Sequence, residues 1–371
     1  MTANPIVQFG TSRFLQAHVD LFVSEAMATG DAAGPITVVQ TSVADRSGRL
    51  RAFTDPAGFP VVVRGIDGGA VVDRSVRVTS IRRGLSTAAD WAEIRRVVVE
   101  EAEFVVSNTA DAGYAVDAAE VVDLTGDDVP ASFPGKLVAL LAARFRAGRP
   151  GLVLLPCELV NRNGATLKAI VVDLARRSGA EPTLVDWIAG ANVWADSLVD
   201  RIVSEPLEPA GAVAEPYALW AIEAVEGLEL PCRHPAIEVI EDLEKPERLK
   251  LHILNLGHTV LAEWWLAAGR PADATVRGLL DDPATLARLQ ALYTDEVLPA
   301  FAAHGLGDEA KTYVAVTLDR FRNPFLAHRI ADIAENHPAK IERRIGAFLD
   351  WSRAAGAPAQ PTLGAIARRP G

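Results

Sequence analysis

Three side chains that could carry out acid–base chemistry lie within one short segment, at Lys250, Asn255 and His258. The segment that holds them, KLHILNLGH, is otherwise apolar. On an α-helix with 3.6 residues per turn, the three positions fall at roughly 0°, 140° and 80° around the axis. A single helix could therefore present all three side chains along one wall of a cleft.

Each of these residue types has a known role at a site of proton transfer. A lysine drawn toward apolar surroundings is poorly hydrated, and its pKa falls toward the range of a usable acid or base. Asn255 could donate a hydrogen bond to a developing oxyanion, and His258 could orient a hydroxyl or relay a proton. The alternative is an ordinary helix with a snorkelling lysine and a structurally bonded histidine. The spacing alone leaves both interpretations open.

Strands and helices alternate through the first part of the chain. The β-rich runs are 5–9, 35–42, 71–81, 103–109 and 151–159, and the helical patterns are 14–27, 91–101 and 133–148. Such alternation predicts an α/β fold, in which a parallel sheet has helices on both faces. Ligands of such sheets bind outside the carboxyl ends of the strands.

The pattern after Pro246 is almost wholly helical. We therefore predict a Rossmann-type dinucleotide-binding domain over residues 1–246 and a helical C-terminal substrate and catalytic domain over 247–371. The Pro-rich composition of the tail, 357–371, predicts partial disorder.

A nucleotide site is predicted where the first strand ends at Gly10. A tight turn toward a helix N-terminus is needed there, although the full G-x-G-x-x-G pattern is absent and Ser12 replaces its second glycine. We predict cofactor contacts from Gly10 and Phe14, and from Asn108 and Thr109 after a later strand. Ordinary turns and strand-to-helix loops are the alternative at both places.

The second strand should end near the residues that choose between NAD and NADP. Gln40, Thr41 and Ser42 come first there, and Asp45 and Arg46 follow. Neither the acid typical of NAD binding nor the arginine typical of NADP binding is cleanly placed. The cofactor is thus NAD or NADP, with NAD slightly favoured.

Further polar residues lie at the ends of other apolar runs. Glu158, Asn161 and Asn163 belong to PCELVNRNG, in which NRNG also reads as a turn, since Asn and Gly tolerate left-handed backbone. Asp200 and Arg201 lie between apolar residues, where a surface ion pair or an edge strand is the alternative.

Two arginines flank the end of a predicted helix in the segment RFRNPFLAH, from Arg320 to His328. Arg320 and Arg322 could bind a carboxylate bidentately. A helix C-terminus also attracts arginines through its dipole, which is the alternative explanation.

The composition limits the classes of partner. The chain has 371 residues, 49% of them hydrophobic, and a formal charge of −11, which disfavours nucleic acid. No apolar run is long enough for a membrane span, and no secretory signal is apparent, so a cytoplasmic location is expected. The two cysteines, Cys157 and Cys232, form no metal spacing, and no metal is predicted.

Several motifs occur together in a particular order. Lys250, Asn255 and His258 follow the pattern Lys, four residues, Asn, two residues, His. The accompanying segments are QFGTSRFLQAH (8–18), SNTADAG (107–113), SFPGKL (132–137), VDRIV (199–203) and RFRNP (320–324). In this order they resemble the polyol-specific long-chain dehydrogenases, also called the mannitol dehydrogenase family.

Within that family, PCELVNRNG, SNTADAG and AEPYALWAIE (214–223) look most like the tagaturonate reductases, and fructuronate reductases are close relatives. The resemblance implies NAD(P)-dependent reversible reduction of a keto-hexuronate to the aldonate. A mannitol- or arabinitol-type polyol dehydrogenase, or a mannitol-1-phosphate 5-dehydrogenase, is the alternative. A non-catalytic nucleotide-binding sensor is a second alternative. The oligomeric state is left open.

The resemblance also assigns roles to individual residues. Lys250 would be the general acid or base, Asn255 would hold the substrate oxygen, and His258 would bind a neighbouring hydroxyl. The implied substrate contacts are Asp200 and Arg320, and Glu247 would pass protons to the lysine. In the mechanism that we expect, Arg320 together with His328 would hold the substrate carboxylate.

Three departures from the family pattern bear on the pyrophosphate contact, through Ser12, and on the substrate, through Leu159 and the chain length. Ser12 replaces a phosphate-loop glycine, and Leu159 stands where polyol oxidisers carry an asparagine. The second departure weakens a two-asparagine oxyanion hole and argues against mannitol. The chain is also shorter than typical tagaturonate reductases and closer in length to mannitol-1-phosphate dehydrogenases.

Overall fold

The computed structural model of the protein describes residues 4–41, 47–109, 111–125, 128–269, 271 and 273–368. The chain divides into two compact units. The first unit consists of Met1–Val63 and Arg74–Leu243, and the second of Arg64–Asp73 and Glu244–Gly371. The domain boundary expected between residues 246 and 247 stays a prediction.

The strands of the described residues belong to three sheets. Their bounds are β1 Ile6–Phe9, β2 Ile36–Gln40, β3 Phe59–Asp67, β4 Ala70–Val78, β5 Ile81–Ser86, β6 Phe104–Ser107, β7 Val153–Pro156, β8 Val193–Trp194, β9 Ser197–Asp200, β10 Val203–Pro206, β11 Ala212–Ala214, β12 Leu219–Glu223 and β13 Ile237–Ile240. The helices of the first unit are α1 Arg13–Gln16, α2 Val19–Thr29, α3 Ser47–Phe53, α4 Trp91–Glu100, α5 Phe133–Arg146, α6 Asn163–Arg177 and α7 Pro182–Gly190, with a short 3₁₀ turn at Asp111–Tyr114.

The largest sheet has six strands in the order β5-β2-β1-β6-β7-β8. All of its neighbouring strands are parallel. This is the Rossmann strand order, in which the direction of winding reverses between the first and fourth strands, here β1 and β6. Because helices cover both faces, β1, β2, β6 and β7 are buried at every residue. The predicted α/β class is confirmed.

Two smaller sheets have the strand orders β10-β11-β3-β4 and β13-β12-β9. The second of these was not predicted from the sequence. Its central strand, β12, runs parallel to β13 and antiparallel to β9.

Two predicted elements are each divided in the structure. The expected helix 14–27 is broken between α1 and α2 at His18, whose ring Nε2 lies 3.1 Å from the carbonyl oxygen of Leu219. The expected strand 71–81 is broken between β4 and β5, because the Thr79 amide donates to Ser24 Oγ at 2.9 Å. Tertiary hydrogen bonds override the local pattern in both cases.

The second unit is helical apart from 64–73 at the ends of β3 and β4. Its α-helices are α8 Glu244–Leu249, α9 Leu256–Ala267, α10 Val276–Leu280, α11 Pro283–Leu292, α12 Leu298–Ala303, α13 Gly307–Phe321, α14 Ile330–Ile333, α15 His337–Ile341, α16 Ala347–Ala354 and α17 Pro361–Ala367. Three π-helical segments, Lys250–Asn255, Tyr293–Val297 and Glu342–Gly346, are inserted between them.

The tail prediction was wrong for 361–367. This stretch forms α17, whose Leu363 and Ile366 are buried in the core of the second unit. Composition suggested disorder, but two well-spaced apolar residues suffice to dock the helix. Among the described residues, no helix is both long and apolar enough to cross a membrane.

Candidate functional site

Three loops leave the six-stranded sheet at its carboxyl edge, after β1, β6 and β7. The backbone amides of Gly10, Asn108 and Cys157 each donate to a carbonyl at the end of a neighbouring strand, at 3.0, 3.0 and 2.8 Å. The first two loops flank the place where the strand order reverses. Sheets of this order bind nucleotides at that place.

Gly10 occupies a position that only glycine can fill. Its φ is 118°, and a Cβ there would lie 2.5 Å from the carbonyl oxygen of Asn108. The following turn is closed by Ser12, whose Oγ accepts from the amide of Leu15 at 3.2 Å and donates to Asn108 Oδ1 at 3.1 Å. The serine that replaces the family glycine therefore caps α1 and ties two loops together.

Phe14 is partly buried and stacks on His18, with ring centroids 4.7 Å apart. His18 itself is fully buried, and burial lowers its pKa to about 3. The imidazole is therefore neutral at physiological pH and provides a flat, uncharged support for the phenyl ring.

Asn108 and Thr109 use their polar groups within the protein. Asn108 Nδ2 donates to the carbonyl oxygen of Cys157 at 2.7 Å. The Thr109 amide and Oγ1 both donate to Glu158 Oε1, at 2.9 and 3.0 Å. These bonds fix the backbone of the loop after β6, and the predicted cofactor contacts of the two residues stay a prediction.

Glu158 is a buried acceptor at the centre of this edge. Besides Thr109, its carboxylate accepts from Ser107 Oγ at 3.0 Å and from the Tyr114 hydroxyl at 3.2 Å. Burial raises the pKa of the Glu158 carboxyl, while the hydrogen bonds from Thr109 and Ser107 oppose the shift. The next residue, Leu159, is by contrast 69% exposed.

The predicted NRNG turn exists, but its geometry differs from the expectation. The left-handed residue is Arg162, with φ 48°, rather than an asparagine or glycine. Asn163 is instead the first residue of α6, and its side-chain Nδ2 donates to the carbonyl oxygens of Pro156, Glu158 and Ser197 at 3.0–3.1 Å. Asn163 thus joins the loop to its surroundings, whereas Asn161 is exposed.

Asp200 and Arg201 are buried, so the surface ion pair considered from the sequence is wrong. They are 5% and 7% exposed. The Arg201 guanidinium donates twice to the carbonyl oxygen of Glu215, at 3.0 and 2.9 Å, and burial lowers its pKa to about 10. Asp200 ends β9 and is held in the interior of the first unit.

The residues expected to choose between NAD and NADP are only partly described. Gln40 is buried at the end of β2 and Thr41 follows it. Ser42, Asp45 and Arg46 lie outside the described residues.

In the second unit, the segment that carries Lys250 is a π-helix rather than the expected α-helix. It spans Lys250–Asn255 and continues directly into α9. A π turn holds one extra residue, which moves Asn255 from about 140° to about 40° around the axis from Lys250. By the same reasoning, His258 moves from about 80° on one side of Lys250 to about 20° on the opposite side, measured around the helix axis. The three side chains therefore share one face more closely than an α-helix allows.

The three residues differ in burial. Lys250 and Asn255 are partly exposed, whereas His258 is 6% exposed. The ring of His258 packs on Phe321 at 4.4 Å and meets the edge of the His328 ring at 4.9 Å, measured between centroids. Burial, together with nearby Lys340, lowers the pKa of His328.

The two arginines of RFRNP lie in different environments. Arg320 is 3% exposed near the end of α13, with Nη1 3.5 Å from the Tyr313 hydroxyl. Arg322 is exposed. The dipole explanation therefore suits Arg322 better, because a surface cation at a helix end needs no burial.

The helix end after Arg320 is shaped by the part of the β3–β4 hairpin that belongs to the second unit. Asn323 Nδ2 donates to the carbonyl oxygen of Arg64 at 3.2 Å, and its Oδ1 accepts from the Phe325 amide at 2.9 Å. The Gly69 amide donates to Asp319 Oδ2 at 3.1 Å. This contact could not be predicted from the sequence, since the two segments are 250 residues apart.

Of the residues around the π turn, one was predicted from the sequence and others were missed. Glu247, which was predicted, lies partly buried on α8 immediately before the π turn. The missed residues are Tyr293, Tyr313 and Arg344, none of which belongs to a motif. Gly257 was the one available signal, because a glycine inside a helix suggests a close neighbour.

The arrangement offers groups that can transfer protons and bind anions. Among the described residues, no group of three His, Cys, Asp or Glu side chains could hold a metal ion. Lysine, amide and imidazole groups share one helix face, and a buried guanidinium lies at the end of α13.

Two family models cover most of the chain. The mannitol dehydrogenase Rossmann domain matches residues 4–231, and the mannitol dehydrogenase C-terminal domain matches residues 242–367. The altronate oxidoreductase of Bacillus subtilis (strain 168) is 30% identical over 362 residues, which cover 91% of this chain and 73% of that protein.

Solved structures agree on the fold. A substrate-free D-sorbitol dehydrogenase superposes with a TM-score of 0.78 at 20% identity, over 95% of this chain and 76% of that one. The Pseudomonas fluorescens mannitol 2-dehydrogenase, in a ternary complex with NAD and D-mannitol, gives 0.70 at 20% identity, over 99% and 78%. The resemblance found in the motifs is confirmed, and the chain belongs to the mannitol dehydrogenase family.

Proposed function

We propose that this protein is an NAD(P)-dependent oxidoreductase that reversibly reduces a keto sugar acid, tagaturonate or fructuronate, to the corresponding aldonate. The observation that carries the proposal is the placement of Lys250, Asn255 and His258 on one helix face by the π turn. The 30% sequence identity to an altronate oxidoreductase, over 91% of this chain, supports a sugar acid as the substrate class.

The carboxyl edge of the six-stranded sheet has the features that a dinucleotide requires. Because Gly10 has no Cβ, the turn after β1 packs directly against the Asn108 backbone, which brings together the loops after β1 and β6 where a dinucleotide is expected to bind. Phe14 supplies an apolar surface, and the loop at Asn108 and Thr109 is held rigid by hydrogen bonds. A reduced nicotinamide bound there would supply the hydride that the carbonyl carbon of the substrate receives, and its oxidised form would accept the hydride in the reverse reaction.

Lys250 and Asn255 act on the substrate oxygen. In the reduction, charge builds on the carbonyl oxygen, protonated Lys250 donates a proton to it, and Asn255 donates a hydrogen bond. In the oxidation, neutral Lys250 accepts the hydroxyl proton. Glu247, partly buried one turn earlier, exchanges protons with the lysine.

The remaining residues hold the rest of the substrate. His258 binds the hydroxyl next to the reacting carbon, and Asp200 binds a further hydroxyl. Arg320, with His328, binds the carboxylate. A buried guanidinium suits this task, because its fixed fork of donors matches two carboxylate oxygens and burial strengthens the attraction.

A panel of substrates tests the proposal. The purified protein is mixed with tagaturonate and fructuronate plus NADH or NADPH, and with mannitol, arabinitol and mannitol 1-phosphate plus NAD or NADP. Reduced nicotinamide is followed by absorbance. We expect turnover with a keto sugar acid to exceed that with any polyol, and the preferred cofactor to emerge from the same experiment.

The other outcomes of the panel separate the alternatives. Faster turnover of a polyol or sugar phosphate would replace the sugar acid by that class of substrate. Cofactor binding by calorimetry with no turnover on any compound would favour a nucleotide-binding sensor. The exposed, apolar Leu159 speaks against a polyol substrate, since it offers no hydrogen bond at the position where polyol oxidisers carry an asparagine.

A further inference from the structure

The π turn at Lys250–Asn255 disturbs the regular α-helical hydrogen bonding, so its carbonyl groups need other partners. Two of its carbonyls receive hydrogen bonds from side chains. The carbonyl oxygen of Ile253 accepts from the Tyr293 hydroxyl at 3.0 Å. The carbonyl oxygen of Asn255 accepts from Thr259 Oγ1 at 2.9 Å and from Arg344 Nη1 at 3.3 Å.

The Tyr293 contact is the most specific of these. Tyr293 is fully buried, and its ring comes from the start of another helical segment, 40 residues along the chain. Burial raises the pKa of its phenol well above the usual value, so the hydroxyl keeps its proton and acts as a donor. Its position therefore depends on packing in the core of the second unit rather than on solvent.

Gly257 makes this contact possible. A Cβ at Gly257 would overlap the Tyr293 hydroxyl and approach the Phe321 ring at 3.0 Å. The glycine lies on the turn directly after Asn255, where any larger residue would push the tyrosine away from the helix. Gly257 and Tyr293 thus form a matched pair, one supplying the space and the other the donor.

We propose that Tyr293 is a positioning residue, whose hydroxyl reaches past Gly257 to hold the π turn and thereby keeps Asn255 on the same face as Lys250. The inference rests on the proposed function, in which both residues act on one substrate oxygen. Without the hydroxyl, the segment can regain α-helical bonding, which rotates Asn255 by about 100° away from Lys250.

The test is a double-mutant cycle between Tyr293→Phe and Asn255→Ala, measured as kcat and KM on the best substrate of the panel. An oxyanion donor contributes about 10²–10³-fold to kcat. We expect Tyr293→Phe to lower kcat by about 10–100-fold with little change in the KM for the cofactor. In the Asn255→Ala background the same change should cost less than about 3-fold, because there is no amide left to misplace.

A merely structural role predicts a different result, with the same loss in both backgrounds. That additive result, or full kcat in Tyr293→Phe, would overturn the inference. If Asn255→Ala alone keeps full kcat, the proposed role of Asn255 fails instead, so the two failures are distinguishable.

Two further variants distinguish a specific effect on the π turn from a general loss of stability. Gly257→Ala keeps the Tyr293 hydroxyl but fills the space through which it reaches the π turn. This variant should therefore lower kcat as Tyr293→Phe does, and its effect should also be smaller in the Asn255→Ala background. Ser352→Ala is the matched control. It removes another buried hydroxyl of the second unit, which accepts from Gln360 Nε2 at 2.6 Å, and we expect kcat to stay within about 2-fold.

Discussion

The carboxyl edge of the six-stranded sheet and the helix that begins at Lys250 both carry clustered polar residues, but they use them in opposite ways. At the sheet edge, the side chains of Asn108, Glu158 and Asn163 are bonded to one another's loops. At the helix, side chains from elsewhere bond the backbone, as Tyr293 does at Ile253.

The difference shows two ways in which a fold prepares a site. In the first, polar side chains hold the loops after the strands, and the missing Cβ of Gly10 lets two of these loops pack against each other. In the second, side chains from other segments hold the backbone of the helix that carries Lys250, Asn255 and His258 on one face. A polar residue at a strand end is therefore weaker evidence for a ligand than the pattern alone suggests.

One carboxyl of the first unit departs from this pattern of bonded polar side chains. Asp20, on α2, is buried, and its Oδ1 has no hydrogen-bond partner among the described residues. Burial raises its pKa from 3.8 to about 8. As the pH rises, the unfolded chain releases this proton first, so the folded state loses stability between about pH 4 and 8.

Asp20→Asn should remove that loss and stabilise the protein at pH 8 by up to about 5 kcal/mol, the limit set by the pKa shift. Urea unfolding at pH 5 and pH 8 measures it, and parallel pH dependence in the variant and the parent would show that this carboxyl is not the cause.

Gly10→Ala tests whether the close packing of the turn after β1 against the Asn108 backbone is needed for stability and for cofactor binding. The new Cβ meets the Asn108 carbonyl oxygen at 2.5 Å at a φ of 118°, so we expect a loss of roughly 3 kcal/mol in stability and at least about 10-fold weaker cofactor binding. Gly30→Ala is the control. Gly30 has a φ of 82° but nothing within 4 Å of a Cβ, so it should cost only about 1 kcal/mol and leave the cofactor affinity unchanged.

Arg320→Ala and Arg322→Ala compare a buried with an exposed cation on the same helix end. We expect the first to raise the KM for a keto sugar acid by about 10–100-fold, as for the loss of a charged hydrogen bond, and the second to change it by less than about 2-fold. Equal effects in the two variants would remove Arg320 from the carboxylate site.

Glu158→Gln tests the claim that polar groups at the sheet edge are structural. An amide cannot accept from all of the donors that now surround the carboxylate, so we expect a loss of about 1–2 kcal/mol in stability. The kcat should stay within a few-fold at a temperature where the variant is folded. A fall of 100-fold in kcat without loss of stability would make Glu158 part of the chemistry.

Much of the architecture was predictable. Continuous apolar runs such as 151–159 identify buried parallel strands, and the Lys250, Asn255 and His258 pattern marks the family. The π turn was not predictable, because hydrophobic periodicity reports which residues are buried and not how many residues a turn holds. The hairpin contact of Asn323 was equally hidden, since it depends on a backbone carbonyl.

The central claim is that Lys250 transfers the proton during reduction of a keto sugar acid, and the turnover of Lys250→Ala tests it most directly. Lys311→Ala, at an exposed lysine in the same unit, serves as the control. We expect Lys250→Ala to lose about 10²–10⁴-fold in kcat while binding the cofactor normally, and Lys311→Ala to keep its activity. Near-full turnover by Lys250→Ala would contradict the assignment.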